Sequence, residues 1–293
     1  MRSRRARREA WLGYALLAPS LLLFGLVYLY PVVYSAYISL FQWDLITPKR
    51  YVGLANYGEL ISDEFREVIT NTAQYSAGVV VLALGFGLIL ALLLNNRSRA
   101  SAALQAAIFT SYIVSWVAVS LLWIWMLDPQ YGLVTFLLRQ VGLPAVNWLG
   151  DPYVALWTLV LVTVWKTIGY PMVIYLAGLQ AIPTDFHEAA ALDGATGWNH
   201  FRFITWPLLT PTTLFLLITL TIASFQGFDI VKIMTQGGPI TSTVIYVYYI
   251  YEQAFQYFKL GKASAAVVIF FVLILLLTLG QWVLLRRRVQ YTV

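Results

Sequence analysis

Residues 70–94 read TNTAQYSAGVVVLALGFGLILALLL, without one charged side chain. At a helical rise of about 1.5 Å per residue, roughly 20 apolar residues cross the hydrocarbon core of a bilayer. Within lipid, each backbone N–H and C=O must find its partner inside the segment, so such a run is read as a helical span. Five further apolar runs lie at about 11–40, 102–127, 153–180, 208–228 and 263–285. The fold this predicts is an all-α integral membrane protein with six transmembrane helices.

Composition agrees. The chain has 293 residues, of which 60% are hydrophobic and 11% charged. A soluble domain carries about 25% charged residues. The mean hydropathy of +0.74 excludes an ordinary soluble enzyme, a disordered chain and a fibrous repeat. There is no cysteine, so disulfides, thiolate zinc sites, iron–sulfur clusters and cysteine nucleophiles are excluded. With only two histidines, His187 and His200, a His-rich metal site is not expected.

Charge sets the predicted orientation. Arg2, Arg4, Arg5, Arg7 and Arg8 precede the first run. A basic start before an apolar stretch also fits a secretory signal peptide. However, the apolar stretch 11–30 exceeds an h-region of about 7–15 residues and is read as a retained span. With the N-terminus inside and six crossings, the inside segments are 1–10, 95–101, 181–207 and 286–293. They hold 11 basic residues and four acids, while the outside segments hold seven and nine. Cytoplasmic loops are enriched in Lys and Arg, which places both tails, 1–10 and 286–293, in the cytoplasm. Two outside loops are long, from 41 to 69 and from about 229 to 262. The second carries Tyr246, Tyr248, Tyr249, Tyr251, Phe255, Tyr257 and Phe258, read either as an interfacial belt or as an external docking surface or lid.

The loop between the fourth and fifth runs, residues 183–211, reads PTDFHEAAALDGATGWNHFRFITWPLLTP. Asp185 with Glu188 three residues on is a capping-box pattern. Helix-favouring residues follow to Leu192, and Gly194 then permits a left-handed turn. A second short helix is expected over 198–204, with Pro207 and Pro211 marking re-entry into the membrane. On these residues alone, the loop is either a helix–turn–helix offering Glu188 and small alanines to a partner, or a solvated connector.

The same residues carry a family resemblance. Glu188-Ala189-Ala190, Gly194, Ile204 and Pro207 match the EAA signature of ABC importer permeases: EAA, three residues, Gly, nine residues, I-x-L-P. Trp206 stands where the pattern has leucine and keeps a large apolar side chain. LQAIP at 179–183, FQWDL at 41–45, VGLANY at 52–57 and TQGGP at 235–239 extend the resemblance, to carbohydrate permeases, over essentially the whole chain. The chain is similar to the larger permease of maltose importers, without its periplasmic insertion, and to the first permease of glycerol-3-phosphate importers. The resemblance implies a second permease subunit, two ATPase subunits below and an extracytoplasmic substrate-binding protein, all in a bacterial cytoplasmic (inner) membrane. It implies an EAA loop, 183–207, that seats in the ATPase through Glu188, Ala189, Ala190, Asp193, Gly194 and Pro207. ATP and Mg would then belong to the partners, with no cofactor, catalytic residue or metal in this chain. No GxxxxGK[ST] phosphate loop is present, and no nucleic acid is expected as a partner.

Lys166, in VWKTIGYP, is the clear charge within a run, and Gly169 and Pro171 predict a kink just after it. It is read as paired beside a water-filled cavity, as packing between subunits, or as touching substrate. The resemblance places substrate contacts on Tyr112, Trp116, Thr163, Lys166, Thr167, Phe225 and Gln226. Aromatic faces suit a pyranose, and amide, hydroxyl and ammonium groups suit its hydroxyls. The function implied is import of a sugar or oligosaccharide by alternating access. The competing readings are a glycerol-3-phosphate or phosphodiester permease, and a stand-alone secondary transporter or membrane enzyme. The last would show inverted repeats, paired intramembrane acids or a convergent catalytic set, and none is found.

Overall fold

A computed structural model describes residues 4–96 and 98–286. Arg2, Arg97, Arg287, Arg288 and the tail beyond 286 lie outside the described residues. The chain divides into two compact units, one of residues 1–62 with 250–272, the other of 63–249 with 273–293.

In the first unit, α1 (Arg4–Phe24) continues through a π-helical turn, Gly25–Leu29, into α2 (Tyr30–Ile38). From Trp11 to Ile38 this is one long apolar helix whose most apolar stretch has no buried residue. Such a surface is stable against lipid or another chain rather than water. After it, β1 (Phe41–Gln42) pairs antiparallel with β2 (Arg50–Tyr51), and α3 (Ala55–Gly58) follows. Asp44 tightens the hairpin by accepting from the Thr47 and Ile46 amides and the Thr47 hydroxyl. These bonds, the Thr47 amide foremost, hold its carboxyl below the usual carboxylate range. Asn56 donates to the Ser39 and Phe41 carbonyls. A Cβ on Gly261 would lie 2.0 Å from the Phe41 carbonyl oxygen, so only glycine fits there.

The second unit is built on α4 (Asp63–Leu94), which extends the run at 70–94 by two turns at its start. The other internal runs are each broken. The run at 102–127 is α5 (Arg99–Ile113) and α6 (Trp116–Met126), bent by 101°. A short α7 (Leu133–Gln140) follows. The run at 153–180 is α8 (Ala155–Thr167) and α9 (Gly169–Gln180), bent by 46°. The interhelix loop forms α10 (Thr184–Leu192), α11 (Gly197–His200), a π-helical turn at Phe201–Thr205 and α12 (Trp206–Leu208). Then α13 (Thr210–Phe225) turns away by 64°, and α14 (Phe228–Met234) ends the run expected at 208–228. Helix α15 (Tyr246–Tyr251) ends this stretch of the second unit; the π-helical turn at Glu252–Gln256 and the first half of α16 (Leu260–Arg286) belong to the first unit, and α16 returns to the second from residue 273. Among the described residues, three helices are long and apolar enough to cross a membrane unbroken, and the number rises to six if each bent pair crosses as one span.

Helix α4 packs on α8, α9 and α13. Ala91, Leu94, Met172, Tyr175, Leu176, Leu179, Leu209 and Leu216 form one buried cluster. In lipid, helices gain little from hydrophobicity against each other, so close packing decides the contact. Gly87 provides it: a Cβ there would lie 2.9 Å from Pro171. The aromatic segment around 250 divides in two, and its first part differs from both expectations. Tyr246, Tyr248 and Tyr249 are 0–1% exposed, and Phe65 packs on the rings of Tyr246 and Tyr249. These three rings are core, neither belt nor surface, while Phe255, Tyr257 and Phe258 are exposed.

Candidate functional site

The two sharp breaks meet. Val114 and Ser115 are extended at the α5–α6 junction, which leaves the last carbonyls of α5 without helical donors. Lys166, near the end of α8, reaches across: Nζ donates to the Tyr112 carbonyl at 2.9 Å, with the Ser111 carbonyl at 3.5 Å. In return, the Ser111 hydroxyl lies 3.2 Å from the Trp165 and Lys166 carbonyls beside the second break. The ammonium also lies 4.6 Å from the Trp116 ring centroid and 5.7 Å from that of Tyr112. Lys166 is 3% exposed. Its charge is thus held by a helix C-terminus and two aromatic faces.

Beside these breaks is a cleft of about 300 Å³ lined by residues of α4, α5, α6, α8, α13 and α14. Five of the seven pathway residues named from the resemblance line it: Tyr112, Trp116, Thr163, Thr167 and Gln226. Lys166 and Phe225 do not. Phe225 is buried, and Lys166 is turned to the backbone of α5. Tyr112 stacks on Tyr170 at 5.5 Å, which fixes the ring at the rim. Tyr75 hydrogen-bonds Thr163 at 2.8 Å, and Ser76 bonds Ser224. Sequence reasoning missed Tyr75, Val79 and Ser224 as lining residues, because α4 reads as a plain span. Asp229 also lines the cleft and is exposed. Among the described residues no basic side chain lines it.

The loop has a defined shape as well. Its helix begins one residue before Asp185, at Thr184, with Pro183 at the N-cap and no side-chain cap hydrogen bond. The expected capping box is therefore absent, because the pre-organised backbone of Pro183 sets the start and leaves Asp185 inside the first turn. The C-terminus matches expectation: Gly194 has φ +76°. The Ala195 amide bonds the Ala190 carbonyl at 2.8 Å and the Gly194 amide bonds Ala191 at 3.1 Å, a Schellman closure. The second short helix is α11, continued by the π-helical turn. Glu188, Ala189, Asp193 and Gly194 are exposed, Ala190 is buried and Pro207 half-buried. Large apolar side chains accompany them at the surface: Leu192 is 90% exposed, Trp198 67% and Phe203 66%.

Apolar helices, several of them broken around a polar-lined cleft, define a multi-pass membrane protein built to line a passage. Residues 83–290 match the binding-protein-dependent transport system inner membrane component family, and the chain belongs to it. It is similar to the trehalose/maltose transport system permease protein MalF of Thermococcus litoralis, 37% identical over 277 residues, covering 93% of this chain and 92% of that one. It is similar to the probable ABC transporter permease protein YesP of Bacillus subtilis, 34% identical over 95% of this chain and 91% of the relative. The sn-glycerol-3-phosphate transport system permease protein UgpA of Agrobacterium fabrum is 33% identical over 96% of each chain. Among solved structures, a chain of a bacterial alginate ABC transporter, in complex with an alginate pentasaccharide-bound periplasmic protein, superposes with a TM-score of 0.87. That chain is 26% identical, with 100% of both chains covered.

Proposed function

We propose that this chain is one of two permease subunits of an ATP-driven importer for a neutral sugar or oligosaccharide. It crosses the cytoplasmic membrane six times, each bent helix pair counting once, with both termini in the cytoplasm. The observation that carries the substrate reading is the wall of the cleft. Tyr112 and Trp116 offer ring faces, Thr167 and Gln226 offer hydrogen-bonding groups, buried Tyr75, Thr163 and Ser224 back them, and the charged lining residue is Asp229. Aromatic faces with hydroxyl and amide groups suit a pyranose. A carboxylate without a lining cation disfavours a phosphate or uronate, because like charges repel most where water is scarce. The glycerol-3-phosphate alternative would want a cation here, and the ammonium of Lys166 is committed to the α5 carbonyls.

The loop at 183–207 couples the passage to the ATPase subunits. Support comes from its closed helix end at Gly194, its exposed Glu188 and its exposed apolar residues Leu192, Trp198 and Phe203. A short rigid element joined directly to α9 and α13 transmits a partner's closure as a rigid-body motion, which opens the cleft to alternate sides. ATP and Mg bind in those partners, and a substrate-binding protein delivers the sugar on the opposite face. A ligand panel on the purified complex with its binding protein tests this. ATPase stimulation by neutral saccharides is expected, and stimulation confined to phosphorylated ligands rejects the substrate reading.

A further inference from the structure

The chain has two histidines, and they meet. His187 lies on α10 and His200 is the last residue of α11. Nδ1 of His187 and Nε2 of His200 are 2.9 Å apart, and the rings stack with centroids at 5.0 Å and an interplanar angle of 27°. The other nitrogen of His200, Nδ1, is 3.4 Å from the hydroxyl of Thr205, a buried residue of the π-helical turn. A chain of contacts thus runs from α10 through His200 into the turn that leads to α13.

We propose that His187 and His200 are positioning residues that staple the coupling helix α10 to the π-helical turn, and that the staple opens when both imidazoles are protonated. This rests on the reading of the loop as the coupling element. The hydrogen inventory gives the logic. A neutral imidazole has one N–H and one lone pair, and the protonated ring has two N–H groups. When both rings are neutral, His200 Nε2–H donates to His187 Nδ1 while Thr205 donates to His200 Nδ1. The reversed polarity works equally well. With one added proton on His200, both of its N–H groups still find acceptors, and the bond to His187 becomes charge-assisted. With a second proton, Nδ1–H of His187 faces Nε2–H of His200. No lone pair remains between two like charges, so the contact breaks. The other charged groups on the packed elements are Asp185 and Glu188 on α10, Asp193 at its end and Arg202 in the π-helical turn. The guanidinium of Arg202 lies 5.8 Å from the Phe203 ring centroid.

Imidazole is the side chain whose charge changes between about pH 5 and 8. The staple therefore stands with both rings neutral or with one added proton on the pair, and is lost when the second proton is added. Its loss lets α10 move without driving α13, so ATP is hydrolysed with less substrate moved.

The test uses the complete complex in proteoliposomes, reading substrate transported per ATP hydrolysed at pH 7.5 and 5.5. His187→Ala and His200→Ala should each lower that ratio by about threefold to tenfold at pH 7.5, the scale of one lost hydrogen bond. The double variant His187→Asn with His200→Gln restores a non-titrating hydrogen-bonded pair and should recover the ratio and flatten its pH dependence. An unchanged ratio in both alanine variants, or a pH decline in the amide pair equal to that of wild type, overturns the proposal. A second readout does not depend on coupling. With ¹⁵N-histidine in this subunit, a nitrogen–nitrogen coupling across the hydrogen bond is expected at pH 7.5 and should vanish on acidification once the ¹⁵N signals show two N–H groups on each ring. Its absence at pH 7.5 removes the staple. If it is present while Glu188→Lys transports normally, the coupling reading fails and the staple stands as a structural pair.

Discussion

Lys166 Nζ donates to the backbone carbonyl of Tyr112 at 2.9 Å, and so one broken helix is capped by a side chain from another. Lys166→Met should leave at least one buried carbonyl without a donor. The expected loss is about 1.5–3 kcal/mol, the scale of a hydrogen bond to a charged group. It is read as a lower thermal midpoint of the detergent-solubilised complex. Preference between neutral and anionic ligands should stay unchanged, because the ammonium does not line the cleft. A variant with full stability but altered charge preference would return Lys166 to the substrate path.

Trp116→Ala and Gln226→Ala remove a ring face and an amide from the cleft wall. Both should raise the substrate concentration for half-maximal transport by about tenfold, in line with one lost stacking or hydrogen-bonding group. Assembly, followed by co-purification of the subunits, should be unaffected. Wild-type concentration dependence in both variants would move the pathway elsewhere.

Asp229 sets the sign of charge in the cleft. A like charge at about 6 Å costs about 3 kcal/mol at an effective dielectric constant of about 20. That is on the order of a hundredfold unscreened, and because Asp229 is exposed and screened by solvent, Asp229→Asn should relax discrimination against an anionic saccharide by about tenfold, with little change for a neutral one. Competition uptake with matched neutral and carboxylated oligosaccharides measures the difference. Equal discrimination before and after substitution would show that Asp229 does not select.

Gly194 closes α10 at φ +76°. No atom lies within 4 Å of a Cβ built there, so the demand is on backbone conformation rather than on space. Gly194→Val strains the left-handed turn by about 1–3 kcal/mol, whereas Gly194→Asn adopts it more readily. Transport should fall with valine and be largely kept with asparagine, while membrane insertion is normal in both. Equal transport by the two would separate the turn from coupling.

Much of the fold was legible in the residues. Charge-free runs mark the apolar helices, and Gly194 marks the end of α10. The break between α5 and α6 was not legible, because it falls at Val114 and Ser115 with neither glycine nor proline to announce it. By contrast, Gly169 and Pro171 did announce the bend between α8 and α9. The role of Lys166 was also hidden: a lysine in an apolar run signals function, and its partner is a backbone carbonyl, which no side-chain pattern reveals. Tyr246, Tyr248 and Tyr249 look like an interfacial belt by composition. Burial against Phe65 depends on a contact more than 180 residues away in sequence, beyond the reach of any local period. The meeting of His187 and His200 is hidden for a related reason. It depends on the turn at Gly194 folding α11 back towards α10.

In the proposed mechanism, partner ATPases drive import through the loop at 183–207. The most direct measurement is uptake of a labelled neutral oligosaccharide into proteoliposomes holding the complete complex and its loaded binding protein. Wild type and Glu188→Lys are compared, each with and without ATP. Uptake that requires ATP and the binding protein in wild type, and is lost in Glu188→Lys while the subunit still inserts, is the predicted result. Uptake that persists without the ATPase subunits, or is complete in Glu188→Lys, would contradict it.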